Sequence, residues 1–305
     1  MYDCIIIGCG PSGMTCAIYL KRAGKKVLVL EKSMPGGQVV LTKSIENYPA
    51  FKNVDGVTLA TSMFEQIKEL GTEIKFEEVI SCDLSGNEKI VKTNKGEYTA
   101  KTVYVSTGAY VKPLQVENEK KFINKGISYC ATCDGALFKG KDVAIVGGGN
   151  VSIEDCIYLS NIAKTVYLIH RREVFTADEI SVQKVRDLEK AGIVKFILNS
   201  EVVGLCGEEK LESIVVHNKI TDTTSAIDVS ALFIAIGRKP DTGFMSGIEL
   251  DEKGYIKVND QKQTNINGVF AGGDVSNGLL KQIVTACSDG AIGASSIVKY
   301  LAENK

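Results

Sequence analysis

Apolar residues along the chain fall into short runs, two of which close on glycine turns that helical spacing follows. The first run, Tyr2 to Ile7, predicts a strand. Gly8-Cys9-Gly10-Pro11-Ser12-Gly13 follows, then Ala17, Leu20 and Ala23 at helical intervals, then a second apolar run, Val27 to Leu30, ending on Glu31. The order is strand, Gly-x-Gly-x-x-Gly turn, helix, strand, acid. Gly8, Gly10 and Gly13 allow a tight turn, close approach of backbone to a pyrophosphate, and close helix–strand packing. Pro11 and Ser12 open a helix whose N-terminus faces the phosphates, and Glu31 is placed to accept from ribose hydroxyls.

The pattern returns at Val143-Ala144-Ile145-Val146, followed by Gly147-Gly148-Gly149-Asn150-Val151-Ser152. A helix is expected from about Ser152 to Ser160 and a strand from Thr165 to Ile169. This strand ends in His170-Arg171-Arg172 instead of an acid. Cations at that place suit the 2′-phosphate of NADP; the alternative is a basic surface turn. The candidate nicotinamide contacts are therefore Gly147, Gly149, Asn150, Ser152, His170, Arg171 and Arg172.

Two mononucleotide units in one chain are most simply a flavin dinucleotide site and a nicotinamide site. Two further segments fit FAD. Ser106-Thr107-Gly108-Ala109 ends a strand-like run, and Gly268 to Val275 leads a strand into glycines and an acid. Thr107, Gly108 and Gly273 are expected at the flavin, Asp274 at a ribityl hydroxyl, and the amides near Gln282 and Ile283 at the ring. The expected fold class is α/β, with two Rossmann-like three-layer domains, the second inserted in the first. The FAD-binding domain is predicted to cover 1–112 plus 244–305. The NADPH-binding-like domain covers 113–243, with Pro and Gly at both crossings.

The 305 residues suffice for about two domains. A net charge of -1 announces no polyanion, so neither nucleic acid nor an anionic membrane is an expected partner. Met1-Tyr2-Asp3-Cys4 lacks the basic start of a signal peptide, and no stretch approaches the roughly 18 apolar residues of a membrane helix. A cytoplasmic location is expected.

Nine cysteines are many for such a chain. Cys4, Cys9, Cys16, Cys82, Cys156, Cys206 and Cys287 stand alone in apolar surroundings and read as small buried hydrophobes. Only Cys130 and Cys133 are close. Cysteines three apart on a helical turn share a side and can close a small, readily exchanged disulfide. Asp134 follows and can supply or accept the exchanging proton. The rival readings are half of a zinc site, which lacks a second pair or nearby histidines, and a purely structural pair. No metal is expected.

With these residues assembled, the chain resembles the low-molecular-weight bacterial thioredoxin reductase family over nearly its whole length. The likeness rests on the glycine turns above, Gly36-Gly37-Gln38, Ile45-Glu46-Asn47-Tyr48-Pro49, Ser106-Thr107-Gly108-Ala109, Cys130-Ala131-Thr132-Cys133-Asp134, His170-Arg171-Arg172, and Gly273-Asp274-Val275 with Gln282. The cysteine motif in the second unit is the most specific. The resemblance implies FAD contacts from Gly37, Gln38 and Asn47. It implies that Cys133 lies against the flavin and takes its electrons, that Cys130 attacks the thioredoxin disulfide, and that Asp134 serves as acid and base. It also implies a homodimer and a rotation of the nucleotide domain.

Two positions depart from the family pattern. Ser152 replaces the usual third glycine or alanine, and Thr176 replaces a third arginine. They keep open a ferredoxin-dependent flavin thioredoxin reductase that has lost nicotinamide binding; Arg171 and Arg172 favour NADPH. A dithiol oxidase and a non-catalytic flavoprotein are the other readings. The first is opposed by the arginine pair and the second by the intact Cys130-Cys133-Asp134.

Overall fold

A computed structural model describes residues 1–42 and 45–304. The chain forms two compact units, one of Met1–Tyr110 with the segment from Lys239 onward, the other of Val111–Arg238. The divisions lie a few residues from positions 112 and 243, where the sequence predicts the crossings. The second unit is thus an insertion in the first, as the α/β reading expects.

In the first unit a seven-stranded sheet runs in the order Glu73–Phe76, Val27–Glu31, Tyr2–Ile7, Glu97–Val105, Lys89–Thr93, Val79–Asp83, with Val269–Ala271 also against Glu97–Val105. Tyr2–Ile7 pairs in parallel on both sides, Ile5 opposite Leu28 and Ile7 opposite Val105. A parallel strand covered on both faces has no polar face, which is why this strand reads as a continuous apolar run. Alternate residues serve opposite cores. Cys4 and Ile6 pack with Leu20, Ile67 and Ile297 from helices, while Ile5 and Ile7 pack with Leu28, Val103 and Val269.

In the second unit five parallel strands run Val194–Ile197, Thr165–Ile169, Asp142–Val146, Ala231–Ile234, Ile127–Ser128. An antiparallel sheet of Ser200–Cys206, Ser213–Asn218 and Thr223–Asp228 accompanies them. The helix after the glycine turn spans Asn150–Ser160 and starts two residues before the expected Ser152, because Gly149 in extended conformation takes the N-cap.

Five lone cysteines are buried, and burial pushes the Cys4 and Cys156 thiols up to about 12. Cys206 is exposed and Cys287 half-buried, contrary to the expectation of burial. Cys206 closes an antiparallel strand whose alternate residues face solvent, which an apolar neighbourhood in sequence does not reveal. No helix among the described residues is long and apolar enough to cross a membrane.

Candidate functional site

In the first unit the helix Pro11–Arg22 begins at Gly10 with Pro at its start and no side chain capping it. Its first-turn amides are therefore left for a ligand. The glycines differ in what they exclude. A Cβ at Gly13 would lie 2.1 Å from Gly8 O, so packing alone demands glycine there. A Cβ at Gly10 would meet nothing within 4 Å. Protein packing does not require glycine at that position, while a pyrophosphate seated on the turn does.

Glu31 reaches back over this turn. Its Oε2 accepts from Cys9 N–H at 2.8 Å and its Oε1 from Ser33 N–H at 2.9 Å. Each carboxylate oxygen retains a lone pair for a ribose hydroxyl. Gly8, Glu31, Lys32, Thr107, Asp241 and Phe244 are among the residues lining a cavity of about 460 Å³. Thr107 Oγ1 donates to Asp241 O at 2.8 Å, and Asp241 N–H approaches Gly108 O at 3.4 Å. Gly37 lies beside Gly10, a Cβ there falling 3.7 Å from the Gly10 Cα, while Gln38 is exposed.

The C-terminal segment returns to the same turn. A Cβ at Gly273 would lie 2.9 Å from Ser12 Cβ, and Gly273 N–H donates to Asp289 Oδ2 at 2.9 Å. Lys262 pairs with Asp289 at 2.6 Å. Gln282 caps the helix Ile283–Glu303 through a reciprocal capping box with Thr285, and Asn47 Nδ2 donates to Gln282 Oε1 at 3.1 Å. Asp274 is half-buried. Ser12 Oγ meets the fully buried Tyr104 hydroxyl at 2.8 Å. Tyr104 and Asp289 escaped the sequence reading. A tyrosine inside an apolar strand reads as core, and nothing local marks Asp289.

In the second unit the strand Ile127–Ser128 delivers the cysteines. Cys130, in extended conformation, starts a four-residue turn of helix, Ala131–Asp134. Cys130 and Cys133 are joined as a disulfide with Cα atoms 5.3 Å apart, and both are partly exposed. Ser128 Oγ donates to Asp134 Oδ2 at 2.6 Å and accepts from Cys130 N–H at 3.1 Å. Burial raises the Asp134 carboxyl above its ordinary range, and the Ser128 bond opposes the shift. Ser128 has no sequence signal beyond standing two residues before Cys130. Among the described residues no three His, Cys, Asp or Glu side chains gather as a metal would need.

The second glycine turn lies in the same unit. The helix Asn150–Ser160 is also uncapped by any side chain. Ser152 is fully buried, and its hydroxyl donates to Gly149 O at 2.7 Å. The extra hydroxyl is thus satisfied without displacing the helix. A Cβ at Gly149 would meet only Thr176 Oγ1, at 3.8 Å, so that face is open. Thr176 binds Gly148 O through its backbone N–H at 2.7 Å and its hydroxyl at 3.1 Å. Asn150 Oδ1 accepts from Asp178 N–H at 2.9 Å. Arg171 and Arg172 are exposed. His170 is buried, stacks on Phe175 with centroids 5.4 Å apart, and has Nε2 3.2 Å from Val174 O. Burial lowers its pKa, and its ring packs over Gly148.

Two glycine turns ahead of uncapped helices and a Cys-x-x-Cys disulfide are the architecture of a flavin disulfide oxidoreductase. Residues 2–290 match the family described as pyridine nucleotide-disulphide oxidoreductase, and the chain belongs to that family. Thioredoxin reductase of Bacillus subtilis (strain 168) is 39% identical, covering 99% of this chain and 96% of its own length. Thioredoxin reductase of Mycoplasma genitalium is 41% identical, with 95% and 92% covered. The crystal structure of thioredoxin reductase from Streptococcus pyogenes MGAS5005 superposes with a TM-score of 0.93 at 37% identity, over 99% of both chains. The resemblance and fold class expected from the sequence are borne out, and the low-molecular-weight type fits. Membership implies flavin and nicotinamide use in general terms.

Proposed function

We propose that the protein is a thioredoxin-disulfide reductase that moves electrons from NADPH through FAD and the Cys130/Cys133 pair to thioredoxin. The observation that carries this reading is the partly exposed Cys130–Cys133 disulfide, with Asp134 tethered beside it. Gly8, Gly10, Pro11, Ser12, Gly13 and Glu31 would hold the FAD pyrophosphate and ribose. Gly37, Gln38, Asn47, Thr107, Gly108, Gly273, Asp274, Gln282 and Ile283 would complete its site. Gly147, Gly149, Asn150 and Ser152 would seat the NADPH pyrophosphate, with His170 shaping that turn and Arg171 and Arg172 holding the 2′-phosphate.

Bound FAD would supply the two electrons that open the disulfide. The chain's own residues then handle thiols and protons. As the family resemblance implies, Cys130 would attack the thioredoxin disulfide, and Cys133 would close on Cys130 and restore the internal bond. Asp134, whose carboxyl is raised above its ordinary range by burial, would serve the leaving thiolate as a general acid. The working form is proposed as a cytoplasmic homodimer.

Purified protein with FAD and NADPH should reduce thioredoxin, and Cys130→Ser should not. Reduction only when reduced ferredoxin replaces NADPH would overturn the donor. Oxidation of small dithiols in air without thioredoxin reduction would make the protein an oxidase.

A further inference from the structure

The geometry points to Ser128 as the positioning residue that fixes Asp134 for proton transfer and ties it to the outer cysteine. This inference rests on the disulfide-reductase reading. Ser128 is 5% exposed and stands at the end of the parallel strand Ile127–Ser128, so its Cα is held by the sheet. Its hydroxyl has one proton, and the acceptor at 2.6 Å is Asp134 Oδ2, while Cys130 O lies farther off at 3.2 Å. The same oxygen accepts Cys130 N–H at 3.1 Å. One hydroxyl thus joins the cysteine backbone to the carboxylate. With Oδ2 committed as an acceptor, Oδ1 is the oxygen left to carry the transferable proton.

The exchange balances around this proton. The Cys130 thiolate attacks one sulfur of the partner disulfide, forming a mixed disulfide and breaking the partner's S–S bond. The expelled thiolate takes the proton from Asp134, which becomes a carboxylate. Cys133 then attacks the Cys130 sulfur, and its own proton ends on the second partner sulfur. The partner disulfide gains two electrons and the cysteine pair loses two.

The surroundings leave Ser128 as the polar control on this acid. The helix Asn150–Ser160 packs against Ala131–Asp134 and brings Glu154, Asp155, Cys156 and Tyr158 on its length. Gly135–Phe138 carries no ionisable group, and Tyr129 turns its hydroxyl to Glu119 at 2.9 Å. Asp134 is moved first by burial, which raises it, and then by the Ser128 bond, which lowers it. Removing the hydroxyl removes that opposing bond and raises Asp134 further.

The test uses the full-length flavoprotein, its cysteine pair reduced chemically and freed of reductant under anaerobic conditions. Iodoacetamide alkylation of Cys130 is then followed by mass across a pH series, with no donor and no thioredoxin present. Besides the titration of the thiol itself, the wild-type profile should show a second inflection that Asp134→Asn removes. Ser128→Ala should move that inflection to higher pH, and Ser128→Thr, which keeps the hydroxyl, should return it. In the Asp134→Asn background, Ser128→Ala should change nothing. A Ser128→Ala profile superposing on wild type would overturn the proposal, as would a wild-type profile without the second inflection or an equal effect with and without Asp134. Because thioredoxin is not in the assay, failure of the reductase reading would show separately, as an intact alkylation shift in a protein that does not reduce thioredoxin.

Discussion

Asn47 donates its side-chain amide to Gln282 Oε1 across 3.1 Å, joining residues 235 positions apart. The bond links the segment ahead of the helix Gly56–Glu69 to the N-cap of the last helix, both in the first unit. Gln282 also receives the Thr285 amide in its capping box, so its carbonyl oxygen serves two donors.

Loss of this tie should loosen the cofactor site more than the fold. Asn47→Ala removes one side-chain hydrogen bond, about 1 kcal/mol, and should weaken FAD retention roughly five-fold. FAD affinity from flavin fluorescence checks this, with the thermal midpoint of the apoprotein nearly unchanged. Since both partners act through one bond, Asn47→Ala with Gln282→Ala should cost less than the sum of the single changes.

The two cysteines should separate by trapping. Cys133→Ser should accumulate a mixed disulfide between Cys130 and thioredoxin, visible on a non-reducing gel, whereas Cys130→Ser should trap none. The reverse result would swap the two roles.

Thr176 stands where a third arginine is usual, and its hydroxyl is spent on Gly148 O. The backbone bond from Thr176 N–H to the same carbonyl survives substitution. Thr176→Arg should therefore keep the turn and add a charge-assisted bond to the 2′-phosphate. NADPH should tighten about ten- to a hundred-fold, as measured by calorimetry. Unchanged affinity would remove this segment from the site.

Asp155, on the helix Asn150–Ser160, is raised to about 6 from 3.8, first by burial, with Arg238 opposing and Glu154 adding to the shift. A carboxyl whose folded value is raised binds more protons folded than unfolded, so its contribution to stability falls as pH rises through that window. Between pH 5 and pH 7 the loss is about 1 kcal/mol. Asp155→Asn should flatten the dependence, narrowing the gap between thermal midpoints at those two pH values.

Much of this was legible in the chain. The alternation of apolar runs and glycine turns gave both units because a parallel strand covered on both faces has no polar side to disguise it. The Cys130–Cys133 pairing was legible because closing a small disulfide depends on local spacing. Ser128, Tyr104 and Asp289 were not, since each acts through a partner that the fold supplies. Tyr104 meets Ser12 across 92 positions, and Asp289 meets Gly273 only once the last helix is docked. His170 read as a nicotinamide contact beside two arginines, and only the fold reveals a buried ring stacked on Phe175.

Anaerobic titration of the yellow holoprotein with NADPH most directly tests the central claim, that flavin and cysteine pair form one electron path. Flavin and disulfide each take two electrons. Wild type should therefore bleach only after taking up about twice the NADPH that Cys133→Ser requires, and thioredoxin should restore its colour. Equal uptake by the two proteins, or a flavin that NADPH leaves oxidised, would contradict the account.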